Sequence, residues 1–138
     1  MKTLQRLEVF FGFAYFASIL ASFYFIQIPL SKRIAEQNQN LNWSLWDNPG
    51  ILFLIGLNLL IPICSYLHAM KKSYIAFGAI LIVGGFFAFM NIFALLIGTT
   101  FEGHIWIGIS PTIFASATMV LAFTNFILYL NARQQSNQ

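Results

Sequence analysis

The sequence contains very little charge. Only 8% of its 138 residues are Asp, Glu, Lys or Arg, whereas an ordinary soluble domain carries about 25%. Hydrophobic residues make up 59% of the chain, so too little polar surface is available to cover a soluble domain. The composition therefore predicts an integral membrane protein. A nucleic-acid partner is not expected, because the few cations flank apolar runs, where they act as topology signals.

Cysteine and histidine are also scarce, which limits the chemistry that the chain could carry. The single cysteine, Cys64, lies in an apolar run, so it can form no intramolecular disulfide and is expected to be a small buried residue. The two histidines, His68 and His104, are predicted at opposite membrane faces, which excludes a haem held by both. No cofactor, metal site or covalent nucleophile is predicted.

Four apolar segments are long enough to cross a bilayer, and they cover residues 9–30, 50–69, 74–98 and 107–130. Only residues 70–73 separate the second and third segments, so these two must form a tight antiparallel hairpin. Residues 1–138 are predicted to form one all-α domain, a transmembrane four-helix bundle with up-and-down topology. In the polar outer loop, 31–49, leucine and tryptophan spacing predicts a short interfacial helix over 41–47.

Positive charge is unevenly divided between the two ends of the predicted bundle. The end with both termini carries Lys2, Arg6, Lys71, Lys72 and Arg133, and the other end carries only Lys32 and Arg33. Because the more cationic side stays in the cytoplasm, both termini are predicted to be cytoplasmic. A bacterial inner (plasma) membrane is the predicted location, with lipids as partners.

Several polar side chains within the spans are predicted to share one layer. Depth counted from the outer span ends places them roughly 10 to 14 Å into the membrane, and they are Ser22, Asn58, Asn91 and Ser116. Thr112 lies one helical turn from Ser116. Such a layer is either a set of helix-packing contacts or the lining of a cavity for a small ligand, a headgroup or a quinone-like molecule.

Asn58 also lies beside a predicted kink in the second span. Pro62 has no N–H to donate to the carbonyl of Asn58, so the second span is predicted to kink there. Asn91 projects from a narrow face of the third span. We therefore expect a contact between Asn58 and Asn91 across the hairpin.

Ionisable side chains are expected only at the span ends. Glu8, at the cytoplasmic start of the first span, is predicted to pair with Arg6 or Lys2 or to reach the lipid headgroups. His68 is predicted to be an interfacial residue near the cationic second loop. Proton-coupled transport needs ionisable groups at depth, so the sequence does not favour it.

Three functions stay open. The favoured one is a non-catalytic accessory, regulatory or immunity-type subunit that packs against a larger membrane complex, because phenylalanine-rich faces exceed what a lone bundle can bury. The alternative is a small homo-oligomeric transporter or channel for a neutral or polar solute. The third is an outer-surface enzyme for a lipid-linked substrate, which would use the loop residues Asp47, Glu102 and His104, although their pattern has little specificity.

Overall fold

The computed structural model describes residues 2–40, 42–98 and 101–138, without the side chain of Glu102. These residues contain four helices that are long and apolar enough to cross a membrane: α1 (Lys2–Gln37), α2 (Pro49–Lys71), α3 (Tyr74–Leu96) and α4 (Ile105–Ser136). No β-strand occurs in this part of the chain. The predicted all-α class and the predicted number of long apolar helices are confirmed.

The helices run up and down around a common core. Helix α1 packs along α2 and α4, and α3 completes the bundle against the same two helices. Their directions alternate, since Glu8 near the start of α1 contacts His68 near the end of α2, and Tyr15 further along contacts Asn58. We call the end with Lys2 and Gln138 the termini face, and the end with residues 38–40, 42–48, 97–98 and 101–104 the loop face.

Helix α1 continues past Pro29, where the sequence predicted that the first span would end. Residues Phe23–Gln27 form a π-turn, in which the N–H of Ile28 donates to the carbonyl of Phe23. A proline ring crowds the carbonyl four residues earlier, here that of Phe25, and the wider π-turn accommodates it. The helix therefore reaches Gln37 instead of stopping near residue 30.

Helix α2 is interrupted at Leu59, as Pro62 predicted. The chain is α-helical over Pro49–Asn58 and again over Leu60–Lys71. The N–H of Leu59 is shared between the carbonyls of Ile55 and Gly56, each 3.2 Å away. Pro62 leaves the carbonyl of Asn58 without its helical donor, so the break lies beside a polar side chain in the bundle core.

Lys72 and Ser73 form the tight turn between α2 and α3. Lys72 has a φ of 55°, and the N–H groups of Lys72 and Ser73 close the end of α2 by donating to the carbonyls of His68 and Leu67. The hydroxyl of Ser73 then accepts the N–H of Ala76 at 3.3 Å, which caps the start of α3. The predicted hairpin is confirmed.

The loop face holds two short 3-10 turns, Leu45–Asp47 and Phe101–Gly103. The hydroxyl of Ser44 accepts the N–H of Trp46 at 3.3 Å and caps the first turn. The sequence predicted a helix over 41–47, but the structure has only this turn there. Three residues are too few to present an amphipathic face, and Leu41 lies outside the described residues.

Helix α4 passes Pro111 without a break and ends at Ser136, beyond the predicted boundary at residue 130. Pro111 cannot donate to the carbonyl of Ile107. The hydroxyl of Ser110 donates to that carbonyl instead, at 2.9 Å, so the proline costs the helix little hydrogen bonding.

Small residues allow close packing between the helices. At Gly12, an added Cβ would lie 2.5 Å from Ser65 Oγ and 3.4 Å from Pro62 Cα. At Gly108 of α4, the ring of Phe101 occupies the space of a side chain. Small residues at helix contacts let the backbones approach closely, as is common between membrane helices.

Candidate functional sites: a loop-face cavity and a buried Glu–His pair

A cavity of about 350 Å³ lies between all four helices in the loop-face half of the bundle. Along α1 it extends from Ser31 to Ile19, a rise of about 18 Å, and it reaches Asn58 at the break in α2. Small-molecule sites usually occupy about 300–1,000 Å³, so the cavity has room for a small ligand or one headgroup. Its apolar walls are Ile19, Phe23, Ile26, Leu30, Ile51, Leu54, Phe87, Met90, Ala94, Phe101 and Pro111.

Asn58 supplies a polar group at the inner end of this cavity. Its side chain is fully buried, and its carbonyl oxygen accepts the hydroxyl hydrogen of Tyr15. One amide N–H donates to the carbonyl of Leu54 at 2.8 Å. The second N–H has no partner among the described residues, so a bound molecule could accept it.

Asn91 and Ser22 add polar groups on the neighbouring walls. Asn91 donates one N–H to the carbonyl of Gly108 at 3.0 Å, and its own carbonyl oxygen stays unpaired in the described part of the chain. No described residue bonds the Ser22 hydroxyl, and the amide of Gln27 also lines the cavity. A largely apolar cavity with a few converging polar groups is the usual form of a small-molecule site.

The π-turn Phe23–Gln27 forms part of the same wall. Phe23, Ile26 and Gln27 all line the cavity. Single π-turns inside α-helices are rare and occur often at functional sites. The turn shapes this wall, but a second π-turn, Ile80–Gly84 of α3, lies outside the lining, so a π-turn alone does not mark the site.

The structure brings together only part of the predicted polar layer. Ser22, Asn58 and Asn91 line the cavity, but no hydrogen bond joins Asn58 to Asn91, so that predicted contact is wrong. The reason is that Asn58 faces Tyr15 of α1. Thr112 is outside the lining and its hydroxyl oxygen is buried without a partner among the described residues, whereas Ser116 is exposed.

The loop residues form no cluster that could act as a metal site or an active site. Asp47 and His104 are exposed, and the His104 ring packs 5.6 Å from that of Phe25. The side chain of Glu102 lies outside the described residues. Within the described part of the chain, no three His, Cys, Asp or Glu side chains come together. Cys64 is buried, as predicted.

A second polar cluster lies toward the termini face, and the sequence interpretation missed it. The carboxylate of Glu8 is fully buried, with one oxygen 2.6 Å from Nδ1 of His68. The other oxygen accepts an N–H of Asn125 at 2.7 Å. The sequence predicted that Glu8 pairs with Arg6 or Lys2 or reaches the headgroups, and that His68 lies at the interface near the cationic second loop. In the structure the two side chains are instead buried against each other.

Burial between the packed helices explains why Glu8 and His68 differ from these predictions. His68 and Asn125 are fully buried, like Glu8. Glu8 lies on the face of α1 that packs against α2 and α4, where its partners His68 and Asn125 shield it from solvent. A buried carboxylate without partners would be very costly, and the two hydrogen bonds offset that cost.

Aromatic rings enclose the histidine of this pair. The His68 ring stacks on Phe77 of α3 with centroids 5.2 Å apart, and Tyr129 of α4 meets it edge-on at 5.5 Å. Tyr129 donates to the carbonyl of Ala69 at 2.8 Å and accepts an N–H of Gln5 at 3.1 Å. All four helices therefore contribute to one buried cluster around Glu8 and His68.

No protein-family model, curated protein or solved structure matches this chain. Any function has to be argued from the cavity and the buried pair themselves.

Proposed function

We propose that this protein is an integral membrane protein that binds a small, largely apolar molecule in its loop-face cavity. The observation that carries the proposal is the cavity itself, where the unpaired N–H groups of Asn58 and Asn91 and the Ser22 hydroxyl face apolar walls. The second N–H of Asn58 lacks an acceptor among the described residues, so the ligand should present a carbonyl oxygen to it. A quinone ring and an ester-bearing lipid headgroup both have this chemistry.

The membrane setting of this proposal follows from the four long apolar helices. Their flanking charges favour termini in the cytoplasm, and a bacterial inner membrane is the location that we propose. In that orientation the cavity opens toward the outer leaflet, where a lipid-soluble molecule can enter sideways between helices.

Binding is measured with the pure protein in lipid nanodiscs, using a benzoquinone with one isoprenoid unit as the probe. Ser22→Phe should abolish binding because the ring fills the cavity. Asn91→Leu should weaken binding about tenfold, the usual worth of one hydrogen bond. Mass spectrometry of gently extracted protein would also reveal any molecule that it retains from its native membrane.

The matched control is Ser116→Phe, which places the same ring at the same predicted depth but on the exposed surface. It should bind the probe like the unmodified protein. Failure of the unmodified protein to bind the probe or to retain a membrane molecule would refute the proposal. Equal binding by Ser22→Phe and Ser116→Phe would do so as well.

An accessory or regulatory subunit is the second candidate function, and one surface favours it. An α3 stripe of side chains, each half-exposed or more, repeats at alternating intervals of four and three residues, which keeps it on one face; it consists of Ile82, Phe86, Phe89, Phe93 and Leu96. This stripe could pack against a helix of a larger membrane complex. A homo-oligomeric transporter would use the same kind of surface.

Mass measurement in the native membrane separates these options. A stoichiometric larger partner supports the accessory subunit, a homo-oligomer supports the transporter, and a monomer opposes both. If the α3 stripe forms the contact, Phe89→Ala should weaken the assembly, whereas Phe123→Ala on the exposed surface of α4 should not.

A further inference from the structure

The Glu8–His68 pair holds an atom that its neighbours leave unused. Nδ1 of His68 meets Glu8, but Nε2 is buried and has no hydrogen-bond partner among the described residues. The carbonyl oxygen of Asn125 is likewise buried and unpartnered. Native proteins rarely leave buried polar atoms unpaired, and such atoms often mark a functional role or a bound water.

We propose that the Glu8–His68 pair is a proton-binding site within the membrane, with the exchangeable proton carried on Nε2 of His68. This proposal does not depend on a ligand in the loop-face cavity. It is a site for the proton itself, distinct from that cavity and built on different residues.

Counting protons identifies Nε2 as the atom that changes. If Glu8 is ionised, Nδ1–H donates to it, and the pair is neutral only when Nε2 also carries hydrogen. If the shared proton lies on Glu8 instead, the carboxyl donates to Nδ1, and the neutral pair again has hydrogen on Nε2. Loss of one proton from either neutral form leaves Nε2 bare, with Nδ1–H donating to the Glu8 carboxylate, and gives the pair a net charge of −1.

The second carboxylate oxygen has a fixed partner, which supports this assignment. Asn125 donates one N–H to Glu8 at 2.7 Å and another to the carbonyl of Leu4 at 3.3 Å. An amide nitrogen can only donate, so it holds that oxygen as an acceptor. The pair can therefore change protonation without rearranging this side of the cluster.

Glu8 and His68 are the only fully buried acidic and basic side chains in the described part of the chain. Among the described residues, only His68 forms an ion pair with Glu8. Tyr129 separates His68 from a groove on the termini face, and Lys72 lies with its ammonium 5.4 Å from the centre of that ring. The other charged or ionisable side chains near this end are the buried thiol of Cys64, one turn before His68, and the surface or groove side chains of Lys2, Arg6, Lys71, Tyr74 and Arg133.

Buried Glu and His side chains in membrane helices commonly belong to proton pathways. A histidine changes charge near neutral pH more readily than any other unperturbed side chain. A proton from the groove would reach His68 by displacement of Tyr129 or through a transient water. The pair is thus equipped to take up a proton from the side of the membrane that holds the termini.

The test uses nitrogen-15 in the histidine rings of the full chain in lipid bilayers, since solid-state NMR distinguishes N–H from bare nitrogen. The chain has two histidines, so His104→Gln leaves a single set of signals from His68. As the pH is raised over the range in which the chain stays folded, Nε2 of His68 should change from N–H to bare nitrogen while Nδ1 keeps its hydrogen bond. Glu8→Gln should weaken proton binding at His68 tenfold or more, about one pH unit, because a buried imidazolium would lose its counter-ion.

Two results would overturn the proposal. One is an Nε2 of His68 that, in the chain with Glu8 intact, keeps the same protonation state throughout this range. The pair would then be a fixed structural ion pair. The other is a Glu8→Gln variant that titrates like the unmodified protein. The first result needs no variant at Glu8, so the test still decides if Glu8→Gln fails to fold.

Discussion

The contact between α1 and α2 is built from single polar residues at intervals of about one helical turn. Glu8 meets His68, Gly12 admits Ser65, and the Tyr15 hydroxyl meets Asn58. Inside lipid, packing and hydrogen bonds replace the hydrophobic effect as the source of helix association, and a typical interhelical hydrogen bond contributes only about 0.6 kcal/mol. The polar contacts therefore matter as much for fixing the register of the two helices as for their stability.

Gly12→Ala should lower the free energy of unfolding by about 1–3 kcal/mol, because the new methyl group would overlap Ser65. The change is measured by denaturant or thermal unfolding in detergent. Ser65→Gly in the same chain should recover most of the loss. Gly56→Ala is the matched control, since nothing lies within 4 Å of its added Cβ, and it should be neutral or stabilise by up to about 1 kcal/mol.

Tyr15→Phe should destabilise the bundle by about 0.5–2 kcal/mol, because the buried carbonyl oxygen of Asn58 loses its donor. Tyr66→Phe provides the comparison, since that tyrosine is half-exposed and its hydroxyl has no hydrogen-bond partner in the described part of the chain. The same unfolding measurement applies. Equal effects of the two substitutions would mean that the Tyr15–Asn58 contact contributes nothing specific.

At the scale of helices, prolines act according to the turn that surrounds them. Pro62 follows a regular turn and interrupts α2 at Leu59. Pro29 follows a π-turn and Pro111 follows a serine that replaces its missing hydrogen bond, so α1 and α4 continue. The sequence shows where a proline lies, but local accommodation decides whether the helix ends there.

Pro62→Ala should restore the N–H donor for the carbonyl of Asn58 and straighten α2. Spin labels at Gly50 and Met70, in a Cys64→Ala background, would report the change by pulsed electron paramagnetic resonance. Their separation should lengthen toward the backbone span of a straight helix, about 30 Å. Pro49→Ala, in the first turn where a proline costs nothing, should leave the separation unchanged.

An unchanged separation in Pro62→Ala would contradict this account. The break at Leu59 would then be imposed by tertiary packing, including the contact between Tyr15 and Asn58.

At the scale of the whole molecule, charge distribution predicts the orientation in the membrane. In a chain carrying Cys64→Ala, single cysteines at Asn40 and at Ser136 would probe the loop face and the termini face, because both residues are exposed. A membrane-impermeant thiol reagent should label the Asn40→Cys protein in intact cells. Ser136→Cys should be labelled only after the membrane is opened, and the reverse pattern would contradict cytoplasmic termini.

The global arrangement could be predicted from the sequence, because it depends on run lengths and on one short turn. Four apolar runs and the spacing of residues 70–73 suffice for the helix number and the α2–α3 hairpin. Depth along a helix was also readable, and it placed Ser22, Asn58 and Asn91 in the same cavity. The direction in which each side chain points around its helix axis could not be read from the sequence. For this reason Ser116 proved exposed and Asn58 faced α1.

The buried pair escaped prediction for a related reason. Glu8 and His68 are far apart in the sequence, and each lies close enough to a span end to be explained by headgroup contact. A usable signal was nevertheless present, since Glu8, His68 and Asn125 all lie within roughly two turns of the predicted span ends on the termini face. Depth counted from that side as well as from the loop face would have grouped them.

The π-turn in α1 rotates the part of the helix that follows it. A π-turn contains one residue more than an α-helical turn, and each residue of an α-helix advances the chain by about 100° around the axis. Everything after Gln27, including Lys32 and Arg33, is therefore rotated by about that angle relative to an uninterrupted helix. Deletion of one residue from Phe23–Gln27 would re-aim this extension without shortening the bundle appreciably, so a one-residue length change there acts as a rotation of the loop-face surface.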